Sequence, residues 1–406
     1  MTNDVQSSTA PDKESMKTDH TLAVADGAHS HAGPEPAGQR FTSFALSDFP
    51  VPTGREEEWR FSPVDRFQSF FGDEFSGPAP TVVVDAAPGV HSEQVGRDDE
   101  RLGRIGAPTD RVSAQAWNNT TEATVITVAA NATPDQPTSV AITGAGGTEP
   151  GAQHVLVVAQ EHSEATIILN HFGSAQLAQT VEVDVREGAR LTLVSLQEWE
   201  RDSVHISAHR ARVGRNANLR HIVVTLGGDV VRLTPDVELA EPGGEVEKVG
   251  LYFTDSGQHQ EHRLLVDHVA PNCISRVTYK GALQGKDAHA VWIGDVVIRS
   301  EAEGTDTYEL NRNLVLTEGA RADSVPNLEI ETGEIEGAGH ASATGRFDDE
   351  QLFYLRARGI PETEARRLVV IGFFAELINQ IAVPEVTDRL TAAIEEEIRQ
   401  YEAVSA

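Results

Sequence analysis

Residues 181–194 have the sequence VEVDVREGARLTLV, and this pattern decides the fold class. Two runs, residues 181–185 and 191–194, are rich in β-branched and aliphatic residues and flank a polar stretch that contains Gly188. Such short runs predict β-strands, because branched side chains fit a pleated surface and glycine permits a turn. Similar runs recur between residues 122 and 340. They lie at residues 125–128, 155–158, 166–169, 220–224, 230–233, 290–293 and 314–316.

About two hundred residues therefore pass without a convincing amphipathic helix, which excludes a doubly wound α/β domain. No low-complexity linker divides this region into two domains. A stacked solenoid accommodates such a length, because each coil buries its inward face against the next. We predict a mainly β fold with a β-helix core at residues 116–345, built from nine to eleven coils of ~20 to 25 residues. Two β-sandwiches are the alternative.

The segments on either side of this core differ from it in composition. Residues 1–40 contain no Phe, Tyr or Trp, and the first such residue in the chain is Phe41. We therefore predict that residues 1–40 form a disordered leader. Residues 41–115 are predicted to form an N-terminal helical region, including a helical segment at residues 55–63, followed by a loosely ordered connection. From residue 346 onward the apolar period changes to about 3.6, which predicts a C-terminal helical domain at residues 346–406.

Composition excludes several classes of function. The chain of 406 residues has a formal net charge of −30, which argues against nucleic-acid binding. Its one cysteine, Cys273, cannot form an intramolecular disulfide or a four-cysteine metal site by itself. No stretch has the ~18 apolar residues of a membrane span, and no signal-peptide core is evident. We therefore expect a cytoplasmic protein that neither spans a membrane nor binds nucleic acid.

Catalytic and nucleotide-binding motifs do not emerge from the sequence. Residues 281–287, GALQGKD, have one residue too few between their glycines for a P-loop and end in Asp instead of Ser or Thr. We therefore expect that this chain binds no nucleotide itself. The histidines between residues 205 and 289 lack a repeated ligand spacing and are interpreted as surface or core residues. Cys273 is interpreted as a small buried residue.

A block near the C-terminus resembles a known family. It comprises PNLEI at residues 326–330, His340, and DEQLFYLRARGI at residues 349–360. These segments closely resemble the C-terminal signature of the SufB/SufD family of iron-sulfur cluster assembly proteins. Shorter matches support the resemblance over nearly the whole chain beyond the leader. They lie at residues 58–61, 220–221, 226–228, 250–252, 267–268, 279–281 and 311–314.

This resemblance implies a right-handed parallel β-helix with helical N- and C-terminal domains. It also implies a scaffold that is not itself an enzyme, paired with a SufB-like paralogue and a SufC-like ABC-type ATPase. An iron-sulfur cluster would be held transiently and shared with the partner. A β-helix carbohydrate-active enzyme and a purely structural interaction protein are the alternative functions.

Within the family the chain is more similar to SufD-type than to SufB-type members. SufB-type chains carry a functional cysteine shortly before a Pro-x-Ile-Glu-Val motif, and the matching residue here is Ala320. SufD-type chains often have Cys-Ser-His in the later motif, where this chain has Ala338-Gly339-His340. Only the histidine is retained, so the resemblance does not supply a thiolate from this subunit.

Two candidate sites follow from these residues. His340 is the candidate for cluster assembly at the partner interface and the candidate metal ligand, because neutral imidazole can bind iron. The alternative is a histidine that only fills the junction between the last strands and the helices. The second candidate is a surface that binds the ATPase subunit, with packing against the end of the β-helix as its alternative. It consists of Leu352, Phe353, Tyr354, Leu355, Arg356 and Arg358.

Overall fold

The computed structural model describes residues 40–347 and 349–405, and most of them form a parallel β-solenoid of about eight turns. The predicted mainly β fold is therefore confirmed. Two nine-stranded sheets face each other across the interior. Sheet A contains, in spatial order, β1 (Thr81–Asp85), β4 (Thr138–Thr143), β6 (Glu164–Gly173), β8 (Arg190–Trp199), β10 (Asn218–Thr225), β12 (Glu245–Thr254), β14 (Ile274–Leu283), β16 (Asp306–Val315) and β18 (Gly337–Arg346). Sheet B contains β17 (Arg321–Ile330), β15 (His289–Ile298), β13 (His259–His268), β11 (Val230–Leu239), β9 (Val204–Val213), β7 (Gln176–Val185), β5 (Gly151–Ala159), β3 (Glu122–Val128) and β2 (Val90–Gly96).

Each coil contributes one strand to each sheet, and its length differs from the sequence-based expectation. In the parallel register of sheet A, 26 residues separate Glu164 from Arg190, and 32 separate Ile274 from Asp306. The expected nine to eleven coils of ~20 to 25 residues are therefore wrong. The strands extend to ten residues because polar residues at their ends also pair, and these residues carry no hydrophobic signal in the sequence.

Alternation along the strands creates the core between the two sheets. On β7, the side chains of Val181, Val183 and Val185 belong to one large buried cluster, which Leu191 and Leu193 of β8 join from sheet A. Side chains at every second position of a strand point to the same face, so each coil adds one apolar layer to the interior. The stretch that predicted the strands thus also supplies the core.

One corner of the solenoid is built from residues with a left-handed backbone. Asn216, Gly243, Asn272 and Gly304 occupy equivalent positions in successive coils, with φ between 51° and 76°. A Cβ atom at Gly243 would lie 2.3 Å from the Asn216 side-chain oxygen, and one at Gly304 would lie 2.5 Å from that of Asn272. Asparagine tolerates this conformation and glycine also fits the tight stacking, so the alternation of the two keeps the coils in register.

The N-terminal region covers the outer face of sheet B. It contains short 3-10 turns and the helix α1 (Arg111–Asn119), which crosses the predicted boundary at residue 115. The segment predicted as helical at residues 55–63 contains only the 3-10 turn Glu57–Trp59. A capping box between Asp110 and Ser113 starts α1 where we expected a loose connection. The helix is short and depends on packing. Its partners in one buried cluster include Trp59, Phe67, Phe70, Phe71, Val204 and Ile206.

Three helices follow β18, as the change of period predicted, and α3 and α4 pack on the outer face of sheet A. They are α2 (Asp349–Ala357), α3 (Glu362–Ile381) and α4 (Pro384–Ser405). Gly359 follows α2 with a φ of +84°, the left-handed conformation with which glycine commonly ends a helix. Phe374 and Leu377 of α3 pack in one cluster with Val249 and Leu251 of β12. Among the described residues, no helix has the length and apolar character needed to cross a membrane. The predicted leader lies outside the described residues, except for Arg40.

Candidate functional site

The C-terminal end of the solenoid is open. Strands β17 and β18 form the outermost coil and are the edge strands of sheets B and A. All twenty residues of these two strands are described, and each of them is half-buried or exposed. Ile330, at the end of β17, leaves 46% of its surface exposed. An unpaired sheet edge beside exposed apolar surface is a ready template for another chain.

His340 lies on the inward-facing side of this last coil. The register of β16 with β18 places His340 opposite Glu309, and Ser342 opposite Asn311. Glu309 and Asn311 are buried, so their partners on β18 face the same interior. His340 itself is 41% exposed because no further coil covers it in the described part of the chain. The imidazole therefore lies at the mouth of the interior, where a partner can reach it.

Beneath His340 lies a carboxyl group that the sequence did not reveal. The Nδ1 atom of His340 is 4.0 Å from Oε1 of Glu309, whose side chain is only 1% exposed. Within the described residues, neither carboxylate oxygen of Glu309 has a hydrogen-bond partner. Burial, followed by repulsion from Asp295, raises the pKa of Glu309 to about 8. A carboxyl group that holds a proton at neutral pH can donate it to a group bound at His340.

Gly294 makes room for this carboxyl group. A Cβ atom on Gly294 would lie 2.5 Å from Oε2 of Glu309 and 2.4 Å from the Trp292 ring. Both contacts are shorter than real Cβ atoms make. Any larger residue at this position of β15 would therefore displace the side chain of Glu309 or Trp292. In the sequence, Glu309 is only one acidic residue of a strand. That its side chain points inward can be recognised only once the pairing register of the strands is known.

None of the three positions considered for thiol chemistry, all of them within the described residues, carries an accessible thiol. Ala320 precedes β17 and Ala338 lies on β18, and both are partly buried against the main core. Cys273 is completely buried next to β14, with its sulfur 3.5 Å from the Glu241 carbonyl oxygen. Burial raises the pKa of its thiol, which favours the unreactive form. The interpretation of Cys273 as a small buried residue is consistent with this environment.

The other histidines considered in the sequence are mostly core residues. Those at positions 205, 209, 221, 259, 262 and 268 are buried between the sheets or under the N-terminal region. His209 and His221 stack at 5.2 Å, and burial lowers the pKa of His209 to about 3. The described residues contain no group of three or more His, Cys, Asp or Glu side chains arranged to hold a metal ion. A cluster bound at His340 would therefore take further ligands from elsewhere.

The six residues of the second candidate site separate into a buried and an exposed set. Leu352 is buried and Leu355 half-buried, whereas Phe353 and Tyr354 are 73% and 56% exposed. The guanidinium of Arg358 lies 4.4 Å from the Tyr354 ring centre and holds that ring in place. Arg356 forms an ion pair of 3.2 Å with Glu362 of α3. Two adjacent aromatic rings on a helix surface, flanked by arginines, are typical of a binding site.

The fold class is a parallel β-solenoid with helices on one outer face and an open C-terminal coil. Comparison with known proteins gives the family. The model described as "SUF system FeS cluster assembly, SufBD core domain" matches residues 141–373. The SufBD family protein ML0594 of Mycobacterium leprae is 53% identical over 91% of this chain and 96% of its own length. The chain belongs to the SufBD family of iron-sulfur cluster assembly proteins.

Two more distant relatives add detail. The iron-sulfur cluster assembly protein SufD of Bacillus subtilis is 26% identical over 61% of this chain and 57% of its own length. The SufBD family protein ML0593 of Mycobacterium leprae is 27% identical over 50% of this chain, which is 23% of its own length. One organism thus has two SufBD family proteins that differ greatly in their similarity to this chain.

Proposed function

We propose that this chain is a SufD-type scaffold subunit, not an enzyme, on which an iron-sulfur cluster is assembled at the interface with a SufB-like paralogue. The observation that carries this proposal is His340 at the open mouth of the solenoid, directly above the buried carboxyl group of Glu309. The cluster is cargo, held transiently and shared between the two chains. His340 supplies one ligand or accepts a proton, and a cysteine of the partner supplies the thiolate.

The open coil supports a heterodimer. The backbone groups on the free edges of β17 and β18 can pair with strands of a second solenoid, which would extend both sheets across the interface. The occurrence of ML0593 beside ML0594 in one organism supports a paralogue as the partner. Ala320 and Ala338 offer no thiolate on this side, so the two subunits would contribute unequal chemistry to one site.

Replacement of His340 by Ala tests the proposed role in cluster assembly. We expect loss of assembly in cells, measured as iron and acid-labile sulfide in a target protein, while the complex still forms and ATP is still hydrolysed. His91→Ala is the matched control, since His91 is an exposed histidine on β2 at the opposite end. Normal assembly in His340→Ala would contradict the proposal, and loss of the complex would favour a packing role.

We also propose that α2 binds a SufC-like ATPase through Phe353 and Tyr354. Both rings are exposed in an acidic protein, and aromatic and arginine residues contribute most to protein interfaces. Leu352 and Leu355 would hold the helix in place, and Arg356 and Arg358 would flank the contact. Under this proposal the nucleotide is bound by the ATPase. In this chain, residues 281–287 span the end of β14 and a turn, which is not the loop before a helix that a P-loop requires.

A double substitution tests this contact better than removal of the helices. Phe374 and Leu377 are buried against sheet A, so deletion of residues 346–406 would also expose the core. Phe353→Ala with Tyr354→Ala should weaken ATPase binding by at least about tenfold, because each ring is a potential hot spot. Leu368→Ala on α3, at a residue 42% exposed, is the control. Unchanged binding of the double variant in a pull-down with the ATPase would exclude this surface.

A further inference from the structure

A cavity of about 200 Å³ lies on the outer face of sheet B, and His340 is not among its lining residues. Strands β9, β11 and β13 form its floor, and the segment of residues 105–107 lies across it from the N-terminal region. A Cβ atom on Gly106 would lie 3.1 Å from Cδ of Arg210, so this segment closes tightly over the Arg210 side chain. A water molecule occupies about 30 Å³ of liquid, and the cavity therefore has room for a small organic molecule.

Arg210 is the one lining arginine whose guanidinium has no partner among the described residues. Its side chain is only 7% exposed, and its Nη2 atom is buried without a hydrogen bond. The other two lining arginines are engaged. Arg40 forms an ion pair with Asp236 at 3.0 Å, and Arg299 binds Asp267 through two contacts of 2.8 Å. A buried charge without a partner is unfavourable, so its presence points to a missing counter-group.

The nearest acidic residues do not fill this role. Asp110, Asp236 and Glu182 are close enough to Arg210 to influence its ionisation, yet none of them bonds to it. The carboxylate of Asp236 pairs with Arg40 at 3.0 Å and accepts a hydrogen bond from the backbone N–H of Leu265 at 3.0 Å. Asp110 forms an ion pair of 3.3 Å with the buried Arg232. Both oxygens of Glu182 accept hydrogen bonds from the backbone N–H of Gly103, at 2.8 and 3.0 Å. The counter-group of Arg210 must therefore come from outside the described residues.

The remaining walls define the chemistry of that group. A guanidinium is suited to a carboxylate or a phosphate, which it binds through parallel N–H donors. Ile105, Val237 and Leu265 make part of the lining apolar. Asp236 and Asp267 are paired with Arg40 and Arg299, so Glu238 is the acidic side chain of the lining that remains beside Arg210. The Glu238 carboxylate repels a dianion more than a monoanion, and the apolar walls favour a ligand with a short hydrocarbon part. We propose that this cavity binds a small organic monocarboxylate, with its carboxylate on Arg210.

The test uses the full-length chain with acetate, butyrate and inorganic phosphate at matched ionic strength. Thermal unfolding and isothermal titration calorimetry should show saturable binding of butyrate, weaker binding of acetate, and no saturable binding of phosphate. Arg210→Gln should reduce the affinity for butyrate by about tenfold to a hundredfold, as expected for a charge-assisted hydrogen bond. Arg212→Gln is the matched control, because Arg212 lies two residues further along β9 and pairs with Glu241 at 3.0 Å.

Arg210→Gln also reports on the fold. Because it removes a buried charge without a partner, the ligand-free variant should melt at the same temperature as the unchanged chain or higher. A lower melting temperature of the ligand-free variant would assign Arg210 a structural role and overturn the proposal. Absence of saturable carboxylate binding, equal binding of butyrate by Arg210→Gln, or preferential binding of phosphate would overturn it as well.

Discussion

The two ends of the solenoid are closed in different ways. At the N-terminal end, β1 and β2 run antiparallel to their neighbours β4 and β3. Val82, Val84 and Val90 of these two strands pack against the main core. At the C-terminal end, β17 and β18 continue the parallel register, and their inward positions include His340 and Ser342. One end thus covers its last coil with valines, whereas the inward positions of β18 at the other end present small and polar side chains.

We propose that the C-terminal end is the one that another chain covers. At the N-terminal end, β1 and β2 are also edge strands, but their reversed direction interrupts the parallel stacking and their valine side chains lie over the interior. The C-terminal end has free strand edges and an interior mouth that contains His340 above Glu309. The same feature that leaves this end incomplete in the isolated chain provides the chemistry of the proposed site.

Stability measurements test the comparison with the largest expected effect. Trp292 on β15 is fully buried, whereas Leu328 on the last coil is only partly buried. Trp292→Ala should lower the free energy of unfolding by about 3–5 kcal/mol, because it leaves a large cavity. Leu328→Ala should cost less than about 1 kcal/mol in the isolated chain. Denaturant unfolding measures both, and equal costs would mean that the last coil is as well packed as the interior.

Association with the paralogue provides the second test. Ser342→Arg places a charge at the mouth of the interior and should weaken the heterodimer about a hundredfold, or about 3 kcal/mol, since a buried unpaired charge is unfavourable. Val83→Arg on β1 is the control at the opposite end, where Val83 is 61% exposed. Size-exclusion chromatography and titration of the co-expressed pair measure both. Weakening by Val83→Arg alone would reverse the roles that we assign to the two ends.

The pH dependence of stability provides the third test. The pKa of Glu309 is raised from 4.5 to about 8 in the folded chain, so the folded state binds this proton more tightly than the unfolded state. The resulting stabilisation is complete below the unfolded pKa and is lost as the pH rises through about 8, by up to about 1.4 kcal/mol per pH unit. Glu309→Gln should remove this part of the slope between pH 5 and 8. An unchanged slope would show that Glu309 titrates normally.

Several features of the molecule could be predicted from the sequence. The β-branched runs at residues 181–185 and 191–194 identified strands of the solenoid, since period-two burial leaves a direct trace in composition. The change of period after residue 346 likewise predicted α2, α3 and α4. The helix α1 was missed because only a capping box marks it and its stability depends on contacts with distant aromatic residues. The coil length was wrong because polar strand ends carry no hydrophobic signal.

The candidate site was only partly accessible to sequence reasoning. His340 was singled out by resemblance, and Phe353 and Tyr354 by an apolar, aromatic-rich stripe followed by arginines, because such patterns are local in the chain. Glu309 was missed, since it lies 31 residues before His340 and meets it only through the pairing of β16 with β18. The missing partner of Arg210 was equally invisible, because it depends on which acidic side chains other groups already engage.

The sequence by itself determined the class of fold, the order of its segments and the family, because strand period, helix period and short motifs are properties of neighbouring residues. The tertiary structure alone decided which end of the solenoid is open, which carboxyl group lies under His340, and which arginine lacks a partner. Each of these depends on contacts between residues separated by a full coil or more. The register of stacked strands creates such contacts, and the order of residues along the chain does not display it.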